Sequence, residues 1–343
     1  MFVKGIGKSV PEFKFTQKEA YQVVSQTYGE RFPAVERYFT SFDNSKIETR
    51  YSASPLQWFY DDHGWKERSS IFKKCTIKLA KDAITKCLTE GKTQPTDIDA
   101  VIAVSTTGIM TPSLDSYLMD VIPFRSDLIR IPIFGWGCAG GLLSLGLAQE
   151  LLQSPRIKNV LVICVELCTL SFFKGATNAK DVISTSLFGD GAAAVLVSKE
   201  EAEIKLNFFM KHRWPDSIEL MGWNIENNGL SVIFSQKIPE IVRTEYPKVL
   251  GSFLSRYKRS LKDYKHFLAH PGGPRVIDYL EAAYGLGHGD MHETRKVLSQ
   301  YGNMSSPTVL FVLDELRKNR NSGRALVSTL GPGFTSGILE IEF

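Results

Sequence analysis

Three side chains in this chain of 343 residues have the types needed for acyl transfer: Cys138, His270 and Asn303. Cys138 lies among glycines in FGWGCAGG, and an apolar stretch from Leu142 to Leu152 follows it. Glycines let the backbone turn sharply and let a ligand approach closely. A thiol at the start of a buried helix feels the positive end of the helix dipole, which favours the nucleophilic thiolate. This context predicts an acyl-carrying cysteine if a base lies elsewhere in the chain, although most buried cysteines only pack.

His270 and Asn303 are the candidate partners of that thiol. His270 follows a short apolar run in FLAHPGGP, and its imidazole is either structural or positioned to pair with a thiolate or polarise a thioester carbonyl. Asn303, in YGNMSSPTVLFVLDEL, is either a turn or cap residue or an amide donor. An amide and an imidazole N–H together would form an oxyanion hole for the enolate left when a malonyl group loses carbon dioxide.

The elements that must position these residues alternate between strands and helices. Apolar runs of strand length predict buried strands at 100–105, 128–134 and 160–165. Apolar residues spaced by four predict a helix over 67–88 that packs Cys75 and Cys87 inside. Pro112 is expected as a first helical residue, and residues 199–246 form a variable region before a helix near 249–257.

The second half of the chain repeats this alternation. Strands are predicted at 267–269, 325–329 and 338–341, with a helix ending near 284 and another over 305–316. Both halves carry their candidate chemistry on glycine-rich turns after strands, which favours an α/β fold made of two duplicated halves. The length also exceeds that of a usual single core, so two domains are expected.

Composition narrows the class of protein. The chain is 43% hydrophobic and 23% charged with a formal net charge of +4, which is typical of a globular protein and gives no support for nucleic-acid binding. Neither a secretory signal nor an apolar run of membrane-spanning length occurs in the sequence. The five cysteines form no metal-type CxxC pair, so reduced thiols, no metal site and a cytoplasmic location are expected.

The motifs together resemble the chalcone synthase-like, or type III, polyketide synthases. The resemblance rests on GCAGG, HPGGP, YGNMSSPTVLFVLDEL, SLFGDGAAAVLV and GPGFTSG, and it runs from about Ala100 to the C-terminus. It implies a homodimeric thiolase fold, a duplicated five-layer αβαβα architecture with halves at 1–198 and 199–343. It also implies a Cys-His-Asn site at the end of a coenzyme A tunnel, with acyl-CoA and malonyl-CoA as substrates and no permanently bound cofactor.

The resemblance implies roles for individual residues as well. The cysteine accepts the starter acyl group, and the histidine and asparagine bind the malonyl thioester and stabilise its enolate during decarboxylation and Claisen condensation. Phe188, in LFGDG, is similar to an aromatic gate between tunnel and cavity. The second gate position falls at Val232 in GLSVIF, so that gate is smaller here or is supplied by Phe234.

Positions in the cavity wall and the coenzyme A site follow from the same resemblance. The candidates for the wall are Thr106, Thr107, Thr111, Cys168 and Ser171. Thr111 resembles a residue that reaches into the partner subunit's cavity, and Cys168 is either a wall residue or a buried strand thiol. Phosphates of coenzyme A call for basic residues at the tunnel mouth, and the candidates are Lys46, Arg50 and Arg275, although Asn44 stands where a lysine is common.

Cys168 and the stretch TTGIMTPSLD resemble the bacterial branch that makes alkylpyrones and alkylresorcinols from long fatty acyl starters. The predicted function is therefore repeated extension of a fatty acyl group with malonyl units, followed by ring closure. A ketoacyl synthase III-like enzyme that performs one condensation on an acyl carrier protein is the closest alternative. A non-catalytic thiolase-fold scaffold is a further one, although such proteins usually lose one of the three residues.

Overall fold

The computed structural model describes residues 1–29, 33–172, 179–227, 229–319 and 322–343. Strands, numbered in chain order, are β1 (Phe2–Ser9), β2 (Phe13–Thr16), β3 (Thr49–Ser52), β4 (Ala100–Val104), β5 (Ile129–Ile133), β6 (Asn159–Leu167), β7 (Asp190–Ser198), β8 (Ile204–Arg213), β9 (Met221–Glu226), β10 (Gly229–Phe234), β11 (His266–Ala269), β12 (Arg324–Gly331) and β13 (Thr335–Glu342). Helices are α1 (Gln17–Val24), α2 (Thr40–Asn44), α3 (Trp65–Glu90), α4 (Leu114–Val121), α5 (Gly140–Leu151), α6 (Ala179–Leu187), α7 (Ile238–Arg256), α8 (Pro274–Tyr284), α9 (His292–Tyr301) and α10 (Thr308–Lys318).

Nine of these strands form one mixed sheet in the order β11-β12-β13-β8-β1-β7-β6-β4-β5. On one side of its middle, β1 pairs antiparallel with β7, β7 antiparallel with β6, and β6 parallel with β4. On the other side, β8 pairs antiparallel with β13, β13 antiparallel with β12, and β12 parallel with β11. The two series repeat the same directions, and only Phe2 and Val3 pair across the joint with β8. This repeat bears out the expected duplication of α/β halves.

The helices divide the molecule into five layers. In β4, Ala100, Ile102 and Val104 face a central core, while Val101 and Ala103 face an outer one, as the two-residue period of a strand requires. The central core is built around α5 and α10, which lie between the two halves of the sheet. The outer layers are α3 with α4 on the first half and α7 with α8 on the second. Fold class and layering are therefore confirmed.

Most predicted elements lie close to their predicted bounds, and the departures have local causes. Helix α7 begins at Ile238, well before 249, because Pro239 occupies its first turn, where proline is tolerated, and Pro247 lies inside it without ending it. The prediction for Pro112 was wrong: α4 begins at Leu114, and Pro112 follows a cis peptide bond. Within the described ranges, no helix has the length and apolarity needed to cross a membrane.

Candidate active site

Cys138 and His270 each follow a strand that is parallel to its neighbour, one in each half of the sheet, and both residues line the same cavity. Cys138 lies in a 3₁₀ turn, Gly137–Ala139, that joins β5 to α5, and His270 directly follows β11. Gly137 has φ of +43°, and a Cβ there would lie 2.7 Å from Pro332 Cγ. A Cβ on Gly141 would lie 2.4 Å from the Ser306 carbonyl oxygen, so only glycine lets α5 approach the start of α10 this closely.

Asn303 reaches the same place from the loop between α9 and α10. The Cys138 Sγ lies 3.8 Å from Asn303 Oδ1, within reach of a thiol hydrogen bond. That oxygen also accepts a hydrogen bond from the Ser305 backbone N–H at 2.8 Å. Cys138, His270 and Asn303 line one cavity, here called the catalytic cavity, of about 610 Å³. Its other walls include Gly137, Phe188, Trp223, Val232, Phe234, Gly272 and Val276.

Burial keeps the cysteine and the histidine neutral. It raises the pKa of the Cys138 thiol to about 11, although hydrogen bonds with Ser305 and Asn303 act in the opposite direction. It lowers the pKa of His270 to about 3, and neither ring nitrogen has a hydrogen-bond partner among the described residues. In the free protein burial thus outweighs the thiolate-favouring effect expected of the helix end. The unpartnered imidazole nitrogens are available to a substrate and to the proton that the thiol must lose.

A buried carboxyl group that the sequence analysis did not single out supports the cysteine turn. Glu166 accepts hydrogen bonds from the backbone N–H groups of Thr106 and Thr107 and from the hydroxyls of Thr107 and Ser306, at 2.8–3.0 Å. Thr106 Oγ1 in turn accepts the Gly137 N–H at 3.0 Å. Burial raises the pKa of Glu166 to about 7, against the effect of these hydrogen bonds. An acidic residue inside the apolar run VICVEL was the available signal.

Behind the catalytic cavity lies a second space of about 650 Å³, here called the inner cavity. Phe188 and Val232 line both cavities, so the two predicted gate residues lie at their boundary. Cys168 and Ser171 line the inner cavity, and Cys168 is almost completely buried in the 3₁₀ turn Cys168–Ser171 that follows β6, so it is not a strand thiol. The remaining wall comes from the N-terminal region, which the resemblance did not cover, and from the segments on either side of α6's start: Phe15, Ala20, Val23, Val24, Tyr28, Arg50, Leu56, Phe59, Thr169, Phe172, Asp181, Ser184 and Thr185.

On the solvent side, a surface groove meets the catalytic cavity at Phe234, Gly272 and Val276, which line both. This outer groove also includes Arg37, Asn44 and Arg275. Arg275 is exposed in the first turn of α8, as a phosphate-binding residue at a tunnel mouth should be. Arg37 also lines this groove, and the sequence analysis did not single it out because an arginine in a stretch without clean periodicity carries no local signal. Phe234 therefore lies between the catalytic cavity and the groove, whereas Val232 lies between the two cavities.

Comparison with known proteins decides the family. The chain matches the chalcone and stilbene synthase N-terminal domain over residues 2–201 and the C-terminal domain over residues 205–340. The chain belongs to the chalcone and stilbene synthase family. It is 35% identical over 355 residues to the "Putative chalcone synthase" of Bacillus subtilis (strain 168), covering 98% of this chain and 97% of that protein. It is 28% identical over 343 residues to the 1,3,6,8-tetrahydroxynaphthalene synthase of Streptomyces peucetius subsp. caesius, covering 97% and 90%.

Solved structures agree with this assignment. The type III polyketide synthase domain of Steely1 from Dictyostelium superimposes with a TM-score of 0.92 at 26% identity, covering 99% of this chain and 98% of that one. The 1,3,6,8-tetrahydroxynaphthalene synthase of Streptomyces coelicolor A3(2) reaches a TM-score of 0.95 at 23% identity over 100% and 99% of the chains, a likeness of fold. This protein is a type III polyketide synthase, and hence an acyltransferase of a class that uses coenzyme A thioesters without a permanent cofactor.

Thr106, Thr107 and Thr111 do not line the catalytic or the inner cavity of the single chain. Thr106 and Thr107 are buried supports of the cysteine turn through Glu166, and neither lines the catalytic or inner cavity. Thr107 instead borders a small separate pocket beside Phe72. Thr111 is exposed on the surface of the single chain, next to the cis peptide bond with Pro112. The predicted wall roles of Thr106 and Thr107 are therefore wrong, because the polar groups of both residues form hydrogen bonds that support the cysteine turn.

The expected coenzyme A role of Arg50 is also corrected. Its side chain is buried, and its guanidinium donates to the carbonyl oxygens of Thr185, Ser186 and Phe188, at 2.5–2.8 Å, and to the side-chain oxygen of Gln17. A guanidinium bound in this way cannot reach a phosphate at the surface. Lys46 is exposed in a left-handed conformation with φ of +58°, and it does not line the outer groove.

Asp278, Glu281 and His288 form a cluster with ligand atoms within 4.8 Å of one another, outside the three spaces described above. Arg295 already neutralises it, because its Nη2 lies 2.6 Å from Asp278 Oδ1 and 2.6 Å from Glu281 Oε2. The cluster is thus part of an ion-pair network that joins α8 to α9.

Proposed function

We propose that this synthase transfers a long-chain fatty acyl group from coenzyme A to Cys138, extends it with malonyl-CoA, and cyclises the product to an alkylpyrone or an alkylresorcinol. The observation that supports the proposal is the inner cavity bounded by Phe188 and Val232, whose wall combines aromatic and aliphatic residues of the N-terminal region with polar residues of the segments around Thr169 and Ser184. Each methylene that such a cavity removes from water contributes about 0.8 kcal/mol to binding. Binding of an acyl starter in such a cavity should therefore strengthen as its alkyl chain becomes longer.

We propose that the catalytic steps start from a neutral Cys138 thiol and a neutral His270 imidazole. The thiol proton of Cys138 passes to His270 as the sulfur attacks the acyl-CoA carbonyl, and the coenzyme A thiolate leaves and takes up a proton. Malonyl-CoA then loses carbon dioxide, and the enolate oxygen is stabilised by N–H groups of His270 and Asn303. The enolate carbon attacks the thioester carbonyl on Cys138, the C–S bond breaks, and the chain is two carbons longer on coenzyme A.

The substrate path has one aromatic and one smaller residue at its narrowest point. Phe188 packs against Trp223 with ring centroids 5.8 Å apart, which holds the aromatic side of the passage in place. Val232 also lines both cavities, and we propose that this small side chain lets an alkyl chain pass from the catalytic into the inner cavity. We propose that coenzyme A lies in the outer groove, with Arg275 and Arg37 near its phosphates.

We propose that the protein is cytoplasmic and that its active form is a homodimer. Each chain is proposed to consist of two halves, 1–198 and 199–343. Strand β5 is the edge of the sheet, and an exposed edge with apolar side chains is rarely left uncovered in a soluble protein. Ile129 is 43% exposed and Phe134 57% exposed on this edge, and Ile109 close to Thr111 is 47% exposed. A second copy that covers this edge would place Thr111 at the interface.

The test is to incubate the purified protein with malonyl-CoA and acyl-CoA starters of increasing chain length, and to identify products by mass spectrometry. Pyrones or resorcinols that retain the whole alkyl chain are expected. A single two-carbon extension, obtained only with an acyl carrier protein, would establish the ketoacyl synthase alternative instead. Products built from malonyl units alone would also overturn the fatty acyl starter. In Cys138→Ala, covalent acyl loading should be absent.

A further inference from the structure

Arg50 contacts the walls of three spaces at once. The Ser186 backbone lines the outer groove, Thr185 lines the inner cavity, and Phe188 lines the inner and catalytic cavities. The carbonyl oxygens of all three accept hydrogen bonds from the single guanidinium of Arg50. Two of them belong to the last turn of α6, whose carbonyls have no partner within the helix and favour a cation.

The segment held by Arg50 is also joined to the catalytic asparagine. Asn303 donates its backbone N–H to the Leu187 oxygen at 2.8 Å, and its own carbonyl accepts the Gly189 N–H at 3.0 Å. Phe188 and Asn303 thus form an isolated parallel bridge between α6 and the loop before α10. The backbone of residues 187–189 is therefore bound by Arg50 on one side and by Asn303 on the other.

Gln17 completes the arrangement on the side of the N-terminal helix. Its side-chain oxygen accepts from Arg50, and its amide nitrogen donates to the carbonyl oxygens of Phe42 and Ser186 and to Ser45 Oγ, at 2.7–3.1 Å. Arg50 and Gln17 consequently link α1, which lines the inner cavity, with α2, which lines the outer groove. A change at Arg50 would therefore affect the inner cavity, the catalytic cavity and the outer groove together.

From these contacts we propose that Arg50, together with Gln17, is a positioning residue for the condensation step, acting through Phe188 and Asn303. This deepens the proposed function and rests on it for the identity of the product. Arg50 holds the backbone that sets both the aromatic side of the gate and the asparagine beside Cys138. The planar guanidinium supplies two donor nitrogens at fixed angles to four acceptors, which a lysine ammonium with three rotating donors cannot reproduce.

The test compares Arg50→Lys and Gln17→Ala with the wild type in two partial reactions. The first is acylation of Cys138 by acyl-CoA, followed by the mass of the intact protein, and the second is release of carbon dioxide from malonyl-CoA alone. A misplacement of about 1 Å at the asparagine should slow decarboxylation by about 10- to 100-fold in Arg50→Lys. The KM for malonyl-CoA should stay within about threefold of the wild type, because no phosphate contact is lost.

Gln17→Ala should act in the same direction with a smaller loss, and the double variant should lose less than the product of the two single losses. Arg259→Lys is the matched control, since Arg259 binds Glu340 through two nitrogens at 2.9 and 3.1 Å, away from the three spaces. It should lower thermal stability while the rate per folded molecule stays unchanged. If Arg50→Lys does not fold, Gln17→Ala still decides the question.

Two results would overturn the proposal. One is a raised KM for the coenzyme A thioesters with kcat preserved, which would make Arg50 a ligand of the substrate. The other is an equal loss in both partial reactions that only follows the folded fraction, as in Arg259→Lys. If the wild type decarboxylates malonyl-CoA but forms no alkyl product, the proposed function is overturned. The decarboxylation rates of the variants would still test the positioning role of Arg50.

Discussion

The catalytic cavity and the inner cavity share Phe188 and Val232, yet their walls have different origins. The catalytic cavity is made at the ends of strands of the central sheet, where backbone hydrogen bonds and close glycine contacts hold Cys138 in place. The inner cavity is largely lined by α1 and the turns around it, which lie outside the nine-stranded sheet. The part built on the sheet is suited to chemistry, whereas inner-cavity side chains outside the Arg50–Gln17 contacts can change the dimensions of that cavity with little effect on the reacting groups.

The largest effect is expected from the catalytic cavity itself. Cys138→Ala removes the acyl acceptor and should abolish product formation, and His270→Ala should lower kcat by about 100- to 1,000-fold through loss of an oxyanion donor. Intact-protein mass and product analysis measure both. Cys87→Ala is a matched control, because Cys87 is another fully buried thiol that lies on α3. Acyl loading that persists in Cys138→Ala would contradict the assigned nucleophile.

A substitution in the inner cavity should change chain length while the chemistry continues. Ala20→Phe fills part of the wall next to α1, so long starters should lose about fourfold in kcat/KM for each methylene displaced, and the shortest starters should keep theirs. Ala282→Phe, on the exposed face of α8, makes the same change elsewhere and should have no effect. Competition assays with mixed starters measure the preference. An equal loss for short and long starters would remove the distinction between the two cavities.

The support of the cysteine turn should respond to pH through stability. Glu166 has a pKa near 7 in the folded protein and near 4.5 when unfolded, so the folded state binds the extra proton between these values. Wild-type stability should therefore fall relative to Glu166→Gln as pH rises from about 4.5 to 7, and stay level above. Glutamine retains the hydrogen bonds by accepting from the threonines and donating to Ser306. Denaturant unfolding of both proteins across this pH range measures the free energy of unfolding. If the wild type gains stability relative to Glu166→Gln as pH rises, the raised pKa of Glu166 is refuted.

The smallest effect is expected in the outer groove. Arg275→Ala and Arg37→Ala each remove one exposed charge, which should raise the KM for acyl-CoA by about fivefold and leave kcat unchanged. The difference should shrink at high salt, because exposed charges are screened. Lys46→Ala, exposed but outside the groove, should leave KM unchanged. Steady-state kinetics at two salt concentrations measures these changes in KM. A fall in kcat would contradict the prediction and indicate that the substituted arginine acts on the reacting groups.

The sequence permitted prediction of the catalytic cavity because its constraints are local. A cysteine between glycines and a histidine before Pro271 are conspicuous within a few residues, and the strands that carry them are unbroken apolar runs. The inner cavity has no such signature, since Ala20 and Val24 look like the buried face of any amphipathic helix. Arg50 misled the analysis because an arginine is normally exposed, and its burial depends on carbonyls that lie 135 to 138 residues further along the chain.

The central place of β1 in the sheet bears on how the chain folds during synthesis. The strand leaves the ribosome before β2–β13, but its neighbours β7 and β8 begin only at Asp190 and Ile204. At translation rates of about 5–20 residues per second, β1 waits roughly 10–40 seconds for a partner. The inner helix α5 waits a similar but slightly shorter time, because α10 begins only at Thr308. The nascent protein thus exposes first an unpaired strand and then an apolar helix, each for about half of the time taken to synthesise these residues, and such features are the ones that chaperones bind.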